Sequence, residues 1–178
     1  GVSMREIAQA AGVQIGSVYQ YFPDKAALLR TIMQEYYDRL HAGVAALLDS
    51  AESFDDLLKV ADQGIEQYQT VFRDDPALAT LWAGLQSVPA LVELDNEDSY
   101  RNADLFSRTI LRVLPGLRRG DLRPFALYFA HTVGSVIRFA GQIDEKDGRA
   151  VLRETRELTR MRLRALAELS AERLKTKG

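Results

Sequence analysis

The sequence contains no cysteine. That absence excludes a disulfide framework, a thiol nucleophile and any cysteine-ligated metal centre. It also fits a reducing compartment, so a cytoplasmic protein is expected. Long hydrophobic runs are missing as well. The most apolar extended stretch, Phe125 to Gly141, is interrupted by His131 and Arg138, whereas a membrane span needs about 18 or more apolar residues in succession. No membrane partner is therefore expected, and no secretory signal is visible at the start of the chain.

Histidine is scarce. His41 and His131 stand far apart in sequence, and the chain has no H-E-x-x-H, phosphate loop or nucleotide-binding glycine pattern. These absences point away from an enzyme, a cofactor and a metal site. The acidic run Glu93, Asp95, Glu97 and Asp98 lacks the glycine and terminal glutamate of a calcium loop and reads as a solvated helix break.

An excess of positive charge is also lacking. The 23 basic residues are outnumbered by 25 acidic ones, for a net charge of −2. Nucleic-acid binders usually carry a basic footprint, so only a small part of this chain can serve that purpose. Even the first 25 residues are balanced, with Arg5 and Lys25 against Glu6 and Asp24.

What is present is helical periodicity over 178 residues, enough for one small and one medium domain with a real core. No alternating strand pattern occurs, and turn signals divide the chain into roughly nine segments. The fold class is all-α. Ser3 and Glu6 have capping-box spacing, which predicts a helix from Met4 to about Ala11, ended by Gly12 in the left-handed region. A second short helix is expected over Ile15 to Tyr21. Pro23 marks a turn, and Asp24 caps a long helix that reaches about Ser50. Ser53 caps the next, Phe54 to about Arg73. Pro76 opens a short helix ending near Gln86. Pro89 begins a region that runs to Leu114 with an interruption near Asp95 to Asp98. Pro115 to Asp121 is a loop, followed by helices over Leu122 to Gln142 and Gly148 to Leu174.

Residues 3–25 carry the strongest signal. They form two short amphipathic helices with a tight turn at Gly12, and Ile7, Ala8, Ala11, Val13, Val18 and Phe22 supply a miniature core. In a helix-turn-helix unit the second helix enters the major groove. Here it presents Gln14, Ile15, Gly16, Ser17 and Gln20. Glutamine can read adenine, isoleucine can touch a thymine methyl, and serine can pair with several bases or a phosphate. Gly16 lets the backbone approach closely, while Tyr19, Tyr21 and Lys25 suit phosphate contacts that fix register. With Ser3 and Arg5 at the start of the first helix, these residues form the candidate DNA-binding set. A plain helical interaction module is the rival reading, but it has no need of Tyr19, Tyr21 and Lys25 at these positions.

The segment from Ser3 to Leu29 resembles the TetR family of bacterial transcriptional regulators: a cap, the run Arg5-Glu6-Ile7-Ala8, then Ala11-Gly12-Val13, Gly16-Ser17-Val18-Tyr19, Tyr21-Phe22 and Lys25. Two departures stand out. Gln14 occupies the position where the family usually has a serine or threonine cap. The family also has a further helix with basic residues ahead of the one at Met4, so a longer native protein is expected.

The resemblance implies a homodimer that binds a palindromic double-stranded DNA operator, usually as a repressor, and lets go when a small-molecule inducer enters a C-terminal domain. On this reading residues 1–45 hold the DNA reader with its linking helix, and residues 46–178 form the regulatory and dimerisation domain. The implied dimer uses the last two helices, with Phe125, Phe129, Val133, Ile137, Leu158 and Leu166 as candidate interface residues. The implied ligand cavity lies between Phe54 and Gln142. Its candidate lining is Tyr68, Phe72, Trp82, Tyr100, Phe106, Tyr128, His131 and Arg138, with Leu81, Leu85 and Leu105 as apolar neighbours. The long helix from Asp24 to Ser50 would connect reader and cavity.

Overall fold

A computed structural model describes residues 2–84 and 88–176, with backbone only at 76, 77, 79 and 83. The described residues form eight helices: α1 (Met4–Ala10), α2 (Ile15–Tyr21), α3 (Lys25–Asp49), α4 (Phe54–Asp74), α5 (Pro76–Ala83), α6 (Pro89–Val113), α7 (Arg119–Gln142) and α8 (Glu145–Lys175). Leu85 lies outside the described residues.

Local chemistry sets most boundaries. At α1 the Ser3 hydroxyl accepts from the Glu6 amide, while the Glu6 carboxylate accepts from the Ser3 amide at 2.7 Å. Gly12 follows with φ +67°, the one positive φ among the described residues. Asp24 caps α3 through the Ala27 amide at 2.8 Å, and Ser53 with Asp56 forms a second capping box at α4. α5 begins on Pro76, whose missing N–H costs nothing there.

Two expectations need correction. α6 is continuous from Pro89 to Val113, with no break at Asp95 to Asp98. Asp95 accepts from Tyr37 of α3, and buried Asp98 accepts from Arg101 and Asn102 one turn further along α6, so burial does not force the helix to open. α7 begins at Arg119 and not at Leu122, placing Pro124 inside its opening turns. The carbonyl that Pro124 leaves unpaired belongs to exposed Gly120, which water can satisfy.

The main core gathers Leu48 of α3, Leu57 and Val60 of α4, Leu105 and Ile110 of α6, Leu122 of α7 and Leu163 and Leu166 of α8. A second cluster joins Met33, Tyr37 and Leu40 of α3 to Leu78, Trp82, Leu91 and Leu94. A third lies under the short helices, with Met4, Ala8, Val18 and Leu28 buried and Ile7, Ile15 and Phe22 packed against them. Ala11 and Val13, expected in this small core, are exposed. The turn at Gly12 carries both away from it, and Met4 and Leu28 fill that space.

α3 crosses residues 45 and 46 without a break. A polar ladder fastens it to α6. The rungs are Arg30 to the Ala90 carbonyl (3.1 Å), Tyr37 to Asp95 (2.6 Å), Asp38 to Arg101 (2.6 Å) and His41 to Asn102 (2.9 Å). Arg112 closes it on the Leu48 carbonyl (2.9 Å) at the end of α3, an oxygen that also accepts from the Ala51 amide at 3.2 Å.

Candidate nucleic-acid interface and regulatory cavity

The surface of α2 carries most of the candidate DNA contacts. Gln14, Gly16, Ser17, Tyr19, Gln20 and Tyr21 are all exposed, with Tyr19 at 52% and Tyr21 at 76%. Large exposed aromatics serve no packing purpose, but their hydroxyls suit phosphate contact. Gln14 occupies the N-cap of α2 in extended conformation and makes no side-chain capping bond. Its side-chain amide is therefore free for an outside partner. A Cβ added at Gly16 meets nothing within 4 Å, so packing does not demand glycine there. Ile15 is half-buried, one side against the small core, which leaves less of it for base contact than Ser17 or Gln20 has. Ser3 and Arg5 lie exposed on α1, and half-buried Lys25 opens α3 beside the Tyr21 end of α2.

A cavity of about 750 Å³, counting its open mouth, lies deeper in the chain. α3 contributes Val44, Leu47 and Leu48; α4 contributes Leu57, Val60, Ala61, Gly64, Ile65 and Tyr68. Phe106 and Ile110 come from α6, Phe125, Ala126, Phe129 and Val133 from α7, and Thr159 and Leu163 from α8. Phe129 meets both Phe106 and Phe125, with ring centroids 5.5 and 5.9 Å apart.

A family model for bacterial regulatory proteins of the tetR family matches residues 1–32. A second, described as the tetracyclin repressor-like C-terminal domain, matches residues 55–167. This chain belongs to the TetR family. The curated proteins yield no match. Membership makes it a DNA-binding transcriptional regulator with a helix-turn-helix at its start. No described helix is long and apolar enough to cross a membrane.

Within this TetR-family regulator the candidate ligand residues fall in several places. Tyr68 and Phe106 line the cavity. Phe72 and Trp82 belong to the neighbouring aromatic cluster, where Trp82 meets Phe72 at 5.3 Å and Tyr37 at 5.1 Å. Arg138 stands over Trp82 at 4.9 Å and is held by this cation–π contact outside the cavity. Tyr100 and Tyr128 are 53% and 67% exposed. His131 is also exposed, 3.0 Å from the Ser99 hydroxyl. Leu81 packs on the aromatic cluster and Leu105 is buried in the main core. The aliphatic walls from α3 and α4 were missed, because an aliphatic residue at helical spacing looks the same whether it faces a void or a neighbour. One signal was available: Gly64 in the interior of an otherwise well-formed helix.

The candidate dimer residues also divide. Leu166 (0% exposed) and Ile137 (3%) fill the chain's own core, so neither offers surface to a second copy. Phe125, Phe129 and Val133 face the cavity. Leu158 is 56% exposed on α8, and Met161, Tyr128 and Phe139 are also exposed on these two helices.

Between reader and cavity the α3–α6 ladder contains strongly perturbed groups. Burial, reinforced by the bond to Asp95, pushes the Tyr37 phenol well above its ordinary range. Burial also raises the Asp98 carboxyl to about 6, opposed in part by Arg101 and His41. Asp98 accepts from Arg101 at 3.1 Å and from the Asn102 amide at 2.8 Å. Of the carboxylates read as a solvated break, Asp95 and Glu97 bond to α3 through Tyr37 and Arg30, Asp98 is bonded within α6, and Glu93 is exposed.

Proposed function

We propose that this chain is a homodimeric repressor that binds a palindromic operator and releases it when a small molecule occupies the cavity. Residues 1–45 form the reader with its linking helix, and residues 46–178 the regulatory and dimerisation domain. The observation that carries this reading is the course of α3. Its first turn packs Leu28 into the small core of the reader. About five turns later Val44, Leu47 and Leu48 form part of the cavity wall. A ligand that pushes on that wall acts on the helix from which the reader hangs, and so on the spacing of two recognition helices in a dimer. Exposed Tyr128 and Phe139 on α7 with Leu158 and Met161 on α8 supply apolar surface for the second copy.

In vitro selection from a random duplex library at two salt concentrations tests the operator. An inverted repeat with half-sites about one helical turn apart is the expected result. Recovery of only weak, salt-sensitive, sequence-independent binding would overturn it.

A further inference from the structure

We propose that the cavity selects an uncharged, mainly hydrocarbon molecule bearing one hydrogen-bonding group for the Tyr68 hydroxyl, and that Gly64 sets the room available to it. This rests on the inducer reading above and names the chemistry of that same site.

No charged side chain lines the cavity. Two polar side chains do, Tyr68 and Thr159. The Thr159 hydroxyl is already spent on the Thr155 carbonyl at 2.8 Å. Tyr68 makes ring contacts with Phe72 and has no hydrogen-bond partner among the described residues. Burial holds its phenol above the usual range, so it stays a neutral donor and acceptor. A ligand therefore meets one unused polar group and otherwise hydrocarbon. A carboxylate or ammonium carried inside would lose its hydration with no countercharge to replace it. Two cations stand outside the lining: Arg138 of α7, which acts electrostatically on the Tyr68 phenol, and exposed Arg162 of α8, 5.8 Å from the Phe125 ring. An acid with its head at the mouth is thus the competitor that a test must include.

Gly64 supplies an independent observation. Glycine within a helix is less stable than alanine by roughly 0.5–1 kcal/mol, so a reason is needed for it in the middle of α4. Close packing is not the reason. A Cβ at Gly64 meets nothing within 4 Å, whereas one at Gly134 comes within 3.3 Å of Tyr68 and one at Gly116 within 2.2 Å of the Ser170 carbonyl oxygen. The missing side chain leaves open space in the cavity wall.

Isothermal titration of the full chain with 1-decanol, decanoate and decylammonium at pH 7 tests the assignment. 1-Decanol should bind, and the two charged analogues at least about tenfold more weakly. Gly64→Leu should weaken 1-decanol by about tenfold or more with an unchanged or raised thermal midpoint, and Gly64→Ala should weaken it less in the same direction. Tyr68→Phe should weaken 1-decanol by about fivefold. Equal binding of either charged analogue, no binding of 1-decanol up to its solubility limit, or wild-type affinity in Gly64→Leu would overturn the proposal. Operator affinity at saturating 1-decanol is read separately. If it does not change, release by this ligand fails while the cavity chemistry stands.

Discussion

Tyr37 on α3 donates its hydroxyl to Asp95 on α6 across 2.6 Å. The donor is buried and the acceptor is a carboxylate at the centre of the polar ladder between the two helices. Tyr37→Phe removes the donor and keeps the ring, leaving Asp95 short of a partner. A hydrogen bond to a charged group contributes about 1.5–3 kcal/mol, and a loss in that range is expected from urea unfolding. An unchanged unfolding midpoint would show that α3 and α6 are held by apolar packing alone.

Gly16→Ala should act oppositely on fold and function. The exposed position accepts a Cβ without contact, so α2 should gain up to about 1 kcal/mol from helix propensity. On the operator the same methyl stands between backbone and DNA, and affinity should fall by about tenfold, equivalent to 1.4 kcal/mol. Thermal melting and fluorescence anisotropy on one preparation measure both. Unaltered operator affinity would remove Gly16 from the interface.

Lys25 opens α3 beside the end of α2. As a phosphate contact it carries no sequence information, so Lys25→Ala should weaken binding to all duplexes alike. The slope of log affinity against log salt should become shallower by about 1. A change in sequence preference with an unaltered slope would assign Lys25 to base reading instead.

Asp98 should make stability depend on pH in an unusual direction. Burial pushes its carboxyl up to about 6 in the folded chain, from an ordinary value of 3.8. The folded state therefore binds the proton more tightly than the unfolded state. The associated stability is fully present below about pH 4 and is lost as pH rises through about 6. Other carboxylates behave oppositely: Arg173 holds Asp121 below its ordinary value, and Arg101 does the same for Asp38. Comparison with Asp98→Asn isolates the one group. Wild type should gain on the variant between pH 7 and pH 4, by roughly 3 kcal/mol at the limit of a two-unit shift. A pH-independent difference would mean that Asp98 titrates normally.

Gly116 joins α6 to α7 where the chain passes α8. Its amide donates to the Ser170 hydroxyl at 3.0 Å, and an added Cβ would lie 2.2 Å from the Ser170 carbonyl oxygen. Gly116→Ala should cost about 1–3 kcal/mol, as overpacking does. Denaturant unfolding measures it, and a wild-type midpoint would show that the loop moves aside freely.

Much of the local structure could be read directly. Ser3 with Glu6, Gly12, Asp24, Ser53 and Pro76 mark helix ends because capping, left-handed φ and a missing N–H act within a few residues of the chain. The extent of α6 could not be read in this way. Asp95 and Asp98 resemble a solvated break until α3 covers them and brings Tyr37 to Asp95, which tertiary packing decides.

The cavity was legible only in outline. Aromatic residues drew attention as lining, yet Phe72 and Trp82 stack in a neighbouring cluster, while Val44, Leu47, Val60 and Ala61 form the wall. Periodicity tells which face of a helix is apolar. It does not tell whether that face meets another helix or empty space.

The sequence by itself determined the all-helical class, most helix starts with their caps, and the polar face of α2, because these follow from spacing and from residue chemistry at close range. Only the tertiary structure decided which apolar stripes close the core and which border the cavity. It alone joined α3 to α6 through Tyr37 with Asp95 and His41 with Asn102, because such bonds depend on residues about 60 positions apart meeting in space.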